Sequence, residues 1–220
     1  MLIYMIRHGQ TDWNAEGRLQ GQQDIPLNEI GRAQATRNGS TLLSSAGSAI
    51  ADFDFVASPL SRTRETMERM RQAMGLEPGA YRTDERLVEL SFGDWEGQTL
   101  EEVGRVAPER LLARVEQKWS FIPPGTAAES YEILSWRVGA WLQSISRPTV
   151  CVTHGGIVRS MFRLVGAVSE DEAATMDVPQ VLTAQPVDAT GRFPDRRPCD
   201  CHPPRYRRRR PSPLIPALRS

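Results

Sequence analysis

No other stretch of this chain constrains its architecture as strongly as LIYMIRHGQTDWN, residues 2–14. Residues 2–6 are apolar or aromatic and run directly into Arg7, His8 and Gly9. An unbroken apolar run of this length that ends at a glycine predicts a buried strand of a parallel sheet rather than a helix. In an open α/β sheet, ligands bind where the carboxyl ends of the strands give way to loops. We therefore expect a site at this strand end, where a cation, an imidazole and a glycine turn suit an anion such as phosphate.

The same arrangement occurs at two later points of the chain. Residues 53–57 form a short strand-like run that leads into Ser58 and Arg62, and residues 149–153 lead into His154. Stretches with helical patterns separate these runs, and strands that alternate with helices predict βαβ units. The sequence therefore predicts an α/β fold, a three-layer α/β/α sandwich with a mostly parallel central sheet. Its strand ends would bring Ser, Arg and His side chains to one edge.

Helix signals fill the spaces between the predicted strands. Asn28 is a predicted N-cap for a helix that continues to about Leu43. A second helix is predicted from Ser58 to Gly75, with four residues at helical spacing on its core face: Thr63, Met67, Met70 and Met74. Thr99 and Pro108 each predict a helix start, and residues 129–145 carry an amphipathic stripe.

Length and composition exclude several classes of protein. The 220 residues suggest one domain, with or without an appendage. No apolar run approaches the roughly 18 residues that a membrane span needs, and the first residues lack a basic leader and a cleavage site. Cys151 lies in a predicted strand, whereas Cys199 and Cys201 lie in a Pro-rich segment, so no disulfide framework is expected. These features predict a cytoplasmic protein with no membrane association.

Charge divides the chain into two parts. Residues 1–180 carry 18 Lys+Arg and 24 Asp+Glu, whereas residues 181–220 carry nine arginines and three aspartates. An acidic main domain argues against nucleic acid as its partner. Residues 181–220 also hold eight of the 16 prolines and show neither helix nor strand periodicity. We therefore expect a domain at 1–180, followed by a Pro/Arg-rich, poorly ordered tail at 181–220.

Four separated motifs agree in type, in order and in their position relative to the predicted strands. They are Arg7-His8-Gly9-Gln10-Thr11 with Asn14, Ser58-Pro59-Leu60 with Arg62, Glu89 ahead of Gly93 and Glu96-Gly97, and Thr153-His154-Gly155-Gly156. In this combination the chain resembles the histidine phosphatase superfamily, the phosphoglycerate mutase-like proteins, over about residues 1–180. The resemblance implies the phosphoglycerate mutase-like version of the predicted sandwich.

The resemblance also implies roles for five side chains. His8 would be the nucleophile and become phosphohistidine, since a neutral imidazole is a competent nucleophile near pH 7. Arg7 and Arg62 would bind phosphate oxygens, which guanidinium groups match in a bidentate manner. His154 would donate a hydrogen bond or positive charge to the phosphoryl group. Glu89 would be the general acid/base, with Glu85 and Glu96 as rival carboxylates.

The remaining residues expected at the substrate are polar or glycine. They are Gly9, Gln10, Thr11, Asn14, Gln20, Gly21 and Gly155. No cofactor is expected. A metal site formed by His8, His154 and Glu89 is an alternative, but two arginines in the same pocket would repel a cation. We therefore expect no metal.

The segment ELSFGDWEG, residues 89–97, resembles the phosphatase branch of the family. The mutases carry a longer insertion after the glutamate, which shields the phosphoenzyme from water, and this chain lacks it. The sequence therefore predicts a metal-independent phosphomonoesterase, a histidine acid-type phosphatase, acting on a small phosphorylated metabolite. A phosphoglycerate mutase-type isomerase remains an alternative. So does a non-catalytic phospho-ligand binding or scaffold protein on the same fold. The substrate and a homodimeric state stay open.

Overall fold

A computed structural model describes residues 2–180 of the chain, and its centre is a parallel sheet. The sheet consists of β1 (Ile3–Arg7), β2 (Asp54–Ala57), β3 (Arg82–Thr83) and β4 (Thr149–Thr153). The strand order is β1-β4-β2-β3, and all neighbouring strands are parallel. This confirms the predicted sheet and three of its strands. The pattern of the sequence did not predict β3, because it comprises two exposed residues without an apolar run.

The helices of the described residues lie between and after these strands. They are α1 (Asp12–Ala15), α2 (Glu29–Ala46), α3 (Ser61–Ala73), α4 (Leu100–Val106), α5 (Pro108–Glu116), α6 (Tyr131–Ser144), α7 (Gly155–Leu164) and α8 (Glu170–Thr175). Short 3-10 turns cover Ser48–Asp52, Glu85–Leu87 and Gly93–Trp95. The side chain of Asn28 caps α2 by accepting the Gly31 amide at 2.9 Å, as its position predicts. Helix α3 begins three residues later than predicted, since its N-cap Leu60 still has an extended backbone.

Side chains of the sheet alternate between two apolar cores. Val150 and Val152 of β4 pack into the core beneath α2 and α3, together with Met67 and Met70. The intervening Cys151 packs on the opposite face into the core formed with α6, α7 and α8. All five residues of β4 are buried, as expected for a strand covered on both faces. Helices on both faces confirm the three-layer sandwich, and the methionines are core residues as predicted.

The parallel register gathers the strand ends at one edge. Arg7 of β1 lies opposite Thr153 of β4. The backbone pairing continues one residue beyond the strands, because the His8 amide donates to the Thr153 carbonyl at 2.9 Å and the Ser58 amide donates to Val152 at 3.1 Å. His8, Ser58 and His154 therefore emerge side by side.

Residues 181–220, predicted to form the Pro/Arg-rich tail, lie outside the described part of the chain, as do Cys199 and Cys201. Between residues 2 and 180, none of the helices has the length and apolar content that crossing a membrane requires.

Candidate active site

Two buried histidines form the centre of the site. His8 follows β1 and His154 follows β4, and their side chains are 3% and 0% exposed. The two rings meet edge to face, with centroids 5.2 Å apart and an angle of 62° between their planes. The structure thus brings together two histidines that are 146 positions apart in sequence, because they end neighbouring parallel strands.

One hydrogen bond fixes the tautomer of His8. Its Nδ1 atom lies 2.7 Å from the Gly9 carbonyl oxygen. A carbonyl oxygen only accepts, so Nδ1 carries the proton and Nε2 keeps its lone pair. Burial lowers the pKa of His8 well below its ordinary value, and the positive charges of Arg62 and Arg7 lower it further. The imidazole is therefore neutral at physiological pH, with a free basic nitrogen.

His154 forms a hydrogen bond with Ser58, the residue that follows β2. His154 Nε2 lies 2.8 Å from Ser58 Oγ. Its other nitrogen, Nδ1, is buried and has no hydrogen-bond partner within the described residues. Burial, followed by the charges of Arg62, His8 and Arg7, lowers the pKa of this histidine well below its ordinary value.

Arg7 and Arg62 flank the histidines and are anchored by backbone carbonyls. Arg62 is fully buried and donates from Nη1 to Gln23 O at 2.6 Å and from Nη2 to Gly21 O at 2.8 Å. Arg7 donates from Nη1 to Val178 O at 2.7 Å. In both residues Nε is buried and finds no partner in the described part of the chain. Burial lowers the pKa of both, to about 10 for Arg62, so both keep their charge at neutral pH.

Buried polar atoms are nearly always hydrogen-bonded, and each exception calls for an explanation. Here three unpaired nitrogens belong to one constellation: Arg7 Nε, Arg62 Nε and His154 Nδ1. Two of the three come from cations whose charges act on His8, and the third belongs to the ring that contacts His8 edge to face. This arrangement can receive a compact anion with several oxygens, such as a phosphoryl group.

Glu89 lies at the first turn of α7. The Gly156 amide donates to both carboxylate oxygens, at 3.1 and 3.2 Å, and the Leu90 amide donates to Oε1 at 2.9 Å. The negative charge of Glu89 opposes the fall in pKa of both Arg7 and Arg62, so the carboxylate lies within electrostatic reach of both arginines. Of the two rival carboxylates, Glu85 is exposed and Glu96 accepts the backbone amides of Gln22 and Phe92.

Glu96 ties two loops of the site together. It accepts the Gln22 amide at 3.0 Å and the Phe92 amide at 3.1 Å, and so joins the Arg62-binding loop to the segment after Glu89. Gly21 has a positive φ of 52°, and a Cβ atom there would lie 1.9 Å from Glu96 Oε1. Gln20 is 7% exposed, and its Oε1 is unpaired within the described residues.

The backbone amides of the loop after His8 form hydrogen bonds within the protein. The amides of Gly9, Gln10 and Thr11 donate to the side chains of Thr66, Gln34 and Asn14, respectively. We expected Gly9, Gln10 and Thr11 at the substrate, and in this structure their backbone amides already have protein acceptors. A Cβ at Gly9 would lie 2.3 Å from the Gly31 carbonyl oxygen, so this glycine permits close packing against α2.

The sequence did not predict the hydrogen-bond network that supports the segment around Glu89. Arg137 of α6 donates to the carbonyls of Arg86 and Glu89 and pairs with Glu129 at 2.9 Å. Glu129 in turn accepts the Ser91 amide at 3.1 Å. This network fixes the segment that carries Glu89. A lone arginine on an amphipathic helix gives no signal of such a role.

Metal ligation was the competing chemistry for these side chains. Across residues 2–180, no group of three or more His, Cys, Asp or Glu side chains is placed to hold a metal ion.

Comparison with known proteins assigns the chain to a class. The sequence profile of the histidine phosphatase superfamily (branch 1) matches residues 3–184, and the chain belongs to this family. The fold and the paired histidines agree with this assignment.

Individual relatives include phosphatases and a phosphoglycerate mutase-like protein. The chain is 34% identical to glucosyl-3-phosphoglycerate phosphatase of Mycobacterium tuberculosis over 171 residues, which are 72% of each chain. It is 35% identical to phosphoglycerate mutase-like protein 4 of Arabidopsis thaliana, over 73% of this chain and 69% of the relative. The solved mycobacterial glucosyl-3-phosphoglycerate phosphatase superposes with a TM-score of 0.66 at 29% identity, over 82% of this chain and 86% of that one. That phosphatase has also been solved in complex with VO3.

Proposed function

We propose that this protein is a metal-independent phosphomonoesterase that acts on a small phosphorylated metabolite through a phosphohistidine intermediate on His8. One observation carries the proposal: a neutral, tautomer-fixed His8 contacts the ring of His154 and feels the charges of Arg7 and Arg62, and each of these three residues has an unpaired buried nitrogen. A site that only binds phosphate needs cations, but it does not need a desolvated nucleophile with a free lone pair.

The first step transfers the phosphoryl group to the enzyme. Nε2 of His8 attacks phosphorus, a P–N bond forms, and the P–O bond to the leaving alcohol breaks. Protonated Glu89 gives its proton to the leaving oxygen. Arg7, Arg62 and His154 bind the equatorial oxygens, where charge is spread in the transition state. The carbonyl of Gly9, which accepts the Nδ1 proton of His8, stabilises the positive charge that develops on the ring.

The second step returns the enzyme to its starting state. Glu89, now ionised, takes a proton from a water molecule as that water attacks phosphorus. The P–N bond breaks, and its electron pair returns to Nε2 of His8. Inorganic phosphate then leaves. The same carboxyl group thus acts first as acid and then as base.

Glu89 is preferred over its rivals because of what surrounds each carboxylate. Glu89 accepts the amide of its neighbour Leu90 and that of Gly156 at the start of α7, and its charge acts on both arginines. Glu96 accepts amides from two loops and has a bracing role, whereas Glu85 is exposed.

A phosphoglycerate mutase-type isomerase is the second candidate, and the mutase-like relative from Arabidopsis favours it. Both reactions would share the phosphohistidine on His8. They differ in whether water or a second substrate hydroxyl accepts the phosphoryl group.

The test is phosphate release from p-nitrophenyl phosphate and a panel of phosphometabolites in the presence of EDTA. We expect hydrolysis by the wild type, inhibition by vanadate, and loss of activity in His8→Ala. Arg110→Gln, at an exposed position of α5, is the matched control and should retain activity. Isomerisation of 3-phosphoglycerate without hydrolysis would favour the mutase. Vanadate binding without either reaction would favour the non-catalytic reading.

A further inference from the structure

The register of the sheet brings Ser58 to His154. Ser58 follows β2 and His154 follows β4, and these two strands are parallel neighbours. The Ser58 amide donates to the Val152 carbonyl at 3.1 Å, and the Thr63 hydroxyl donates to the Ser58 carbonyl at 2.8 Å. Both Ser58 and His154 are fully buried, and Ser58 Oγ lies 2.8 Å from His154 Nε2. The backbone therefore holds this hydroxyl group against one particular nitrogen of the imidazole.

Two tautomers of His154 are compatible with this distance. A neutral imidazole carries one proton, on either Nδ1 or Nε2, and a hydroxyl group can both donate and accept. If the proton is on Nδ1, the hydroxyl of Ser58 donates to the lone pair of Nε2. If the proton is on Nε2, the ring donates to Ser58 Oγ, and the hydroxyl hydrogen needs another acceptor.

The surroundings of Ser58 favour the proton on Nδ1. Within residues 2–180, the hydroxyl of Ser58 has one further contact, a long hydrogen bond of 3.5 Å from the Leu60 amide, in which Oγ is the acceptor. With the proton on Nε2, the hydroxyl hydrogen of Ser58 and the Nδ1 lone pair of His154 would both be buried without a partner among these residues. With the proton on Nδ1, only the Nδ1–H group lacks a partner. Because each unsatisfied buried polar group is destabilising, the Nδ1–H tautomer is the more stable one.

The charge state of the ring agrees with this description. Burial is the main cause that lowers the pKa of His154 well below its ordinary value, so the ring is neutral near pH 7. A hydroxyl group that donates to Nε2 stabilises the neutral form as well, because it occupies the lone pair that a second proton would need. Of the two roles expected for His154, a hydrogen bond or a positive charge, the neutral ring can supply only the hydrogen bond.

We propose that Ser58 is a positioning residue that holds His154 in its neutral Nδ1–H tautomer, so that His154 donates a hydrogen bond from Nδ1 to the transferring phosphoryl group. The proposal rests on the phosphatase function proposed above. Nδ1 is the nitrogen of His154 that has no partner in the described part of the chain, and its ring contacts that of His8 edge to face. A bare lone pair at this nitrogen would repel phosphate oxygens, whereas an N–H group binds them. The two histidines then share one tautomer but have opposite roles, His8 as nucleophile through Nε2 and His154 as donor through Nδ1.

NMR of the full chain with 15N-labelled histidine rings reads the tautomer directly. The chain contains three histidines, so the variants His8→Ala and His202→Gln assign the signals of His154 by elimination. Two-bond correlations between ring protons and ring nitrogens distinguish a proton on Nδ1 from one on Nε2. We expect His154 of the wild type to carry its proton on Nδ1 alone near neutral pH. A proton on Nε2, on both nitrogens or exchanging between them would overturn the proposal.

The variant Ser58→Ala shows whether the hydroxyl group sets this tautomer. Without the hydroxyl, either tautomer of His154 leaves one N–H group and one lone pair unpaired, so we expect both forms in the spectrum. Ser160→Ala is the matched control, since Ser160 is also fully buried but its Oγ has no partner among the described residues. It should keep the wild-type spectrum. A His154 ring that stays entirely in the Nδ1–H form in Ser58→Ala would contradict the role of Ser58.

Kinetics test the consequence for catalysis. In Ser58→Ala, kcat/KM for p-nitrophenyl phosphate should fall roughly tenfold, about the worth of one hydrogen bond, whereas Ser160→Ala should keep full activity. In a His154→Ala background the same change at Ser58 should have no effect, because the ring that it orients is absent. A tenfold loss that persists in this background, or wild-type kcat/KM in Ser58→Ala, would overturn the positioning role.

Vanadate binding separates this proposal from the phosphatase function. If the wild type hydrolyses no phosphomonoester, the phosphatase proposal fails, and the dissociation constant of vanadate becomes the readout. Ser58→Ala should then weaken vanadate binding about tenfold, since the oriented donor is lost. An unchanged affinity would overturn the role of Ser58.

Discussion

Replacing Gly156 by alanine should disable the general acid while leaving the fold intact. A Cβ at this position would lie 2.3 Å from Oε1 of Glu89 and 3.2 Å from a methyl group of Leu134. The carboxylate is the flexible end of a side chain, so it can move aside. In doing so it loses its hydrogen bonds to the Gly156 amide, which hold it at the start of α7.

The size of the effect follows from the distance. Glu89 must retreat by about 1 Å to reach ordinary contact, and a displacement of this size can cost roughly 100-fold in rate. General acid–base catalysis contributes roughly 10²- to 10⁴-fold, which sets the upper limit. We therefore expect kcat/KM for an alkyl phosphate to fall about 100-fold, equivalent to about 2.7 kcal/mol. p-Nitrophenyl phosphate should lose less, because its leaving group departs without a proton.

The assay combines steady-state kinetics with thermal unfolding. Gly139→Ala on α6 is the matched control, since its Cβ would meet only the methyl groups of Leu164 at 3.8 and 4.0 Å. It should keep full activity and gain about 0.5–1 kcal/mol of stability from the replacement of a helical glycine. The double variant Gly156→Ala/Glu89→Gln should be no slower than Glu89→Gln alone, because both changes remove the same group.

Two results would refute this reasoning. Gly156→Ala with wild-type kcat/KM on the alkyl phosphate would show that the carboxylate position is unimportant. Losses that multiply in the double variant would show that Gly156 acts independently of Glu89.

Three further predictions concern the pH dependence of stability, the packing of Gly9 and the phosphate-binding role of Arg62. Burial lowers the pKa of His8 and His154 below the usual 6.5, so the unfolded chain binds more protons as pH falls below that value. The free energy of unfolding should therefore fall from pH 7 to 5.5, by up to about 1.4 kcal/mol per pH unit for each histidine, and a flat urea-denaturation profile would contradict this. Gly9→Ala places Cβ 2.3 Å from the backbone oxygen of Gly31 and should cost about 1–3 kcal/mol in thermal unfolding; unchanged stability would show that the loop can move. A lysine in place of Arg62 cannot donate to the two backbone carbonyls and to a phosphate oxygen together, so kcat/KM of Arg62→Lys should fall at least tenfold. Near-normal kinetics would contradict the phosphate-binding role of Arg62.

Strand ends were the part of the site that the sequence could predict. Buried parallel strands are continuous apolar runs, and residues such as His8 and His154 directly follow them. Their convergence then follows from the parallel topology alone, which the structure confirms. The same reasoning could not find β3, whose two residues are exposed. Helix α8 was not predicted either, although Ser169 and Glu172 form a capping box at its start.

Contacts between distant segments could not be predicted. The amides after His8 are expected donors for a ligand in any polar loop, but Thr66 and Gln34 come from α3 and α2 and take two of them. Arg137 braces the Glu89 segment across about 50 positions, and only the packing of α6 reveals it.

Direct detection of the phosphoenzyme tests the central claim most directly. The protein would be mixed with a substrate identified in the phosphatase panel, quenched within milliseconds under alkaline conditions that preserve phosphohistidine, and analysed by peptide mass spectrometry. We predict one added phosphoryl group on His8 during turnover and none in His8→Ala. Turnover at full rate with His8 unmodified, or with the phosphoryl group on another residue, would contradict the proposed mechanism.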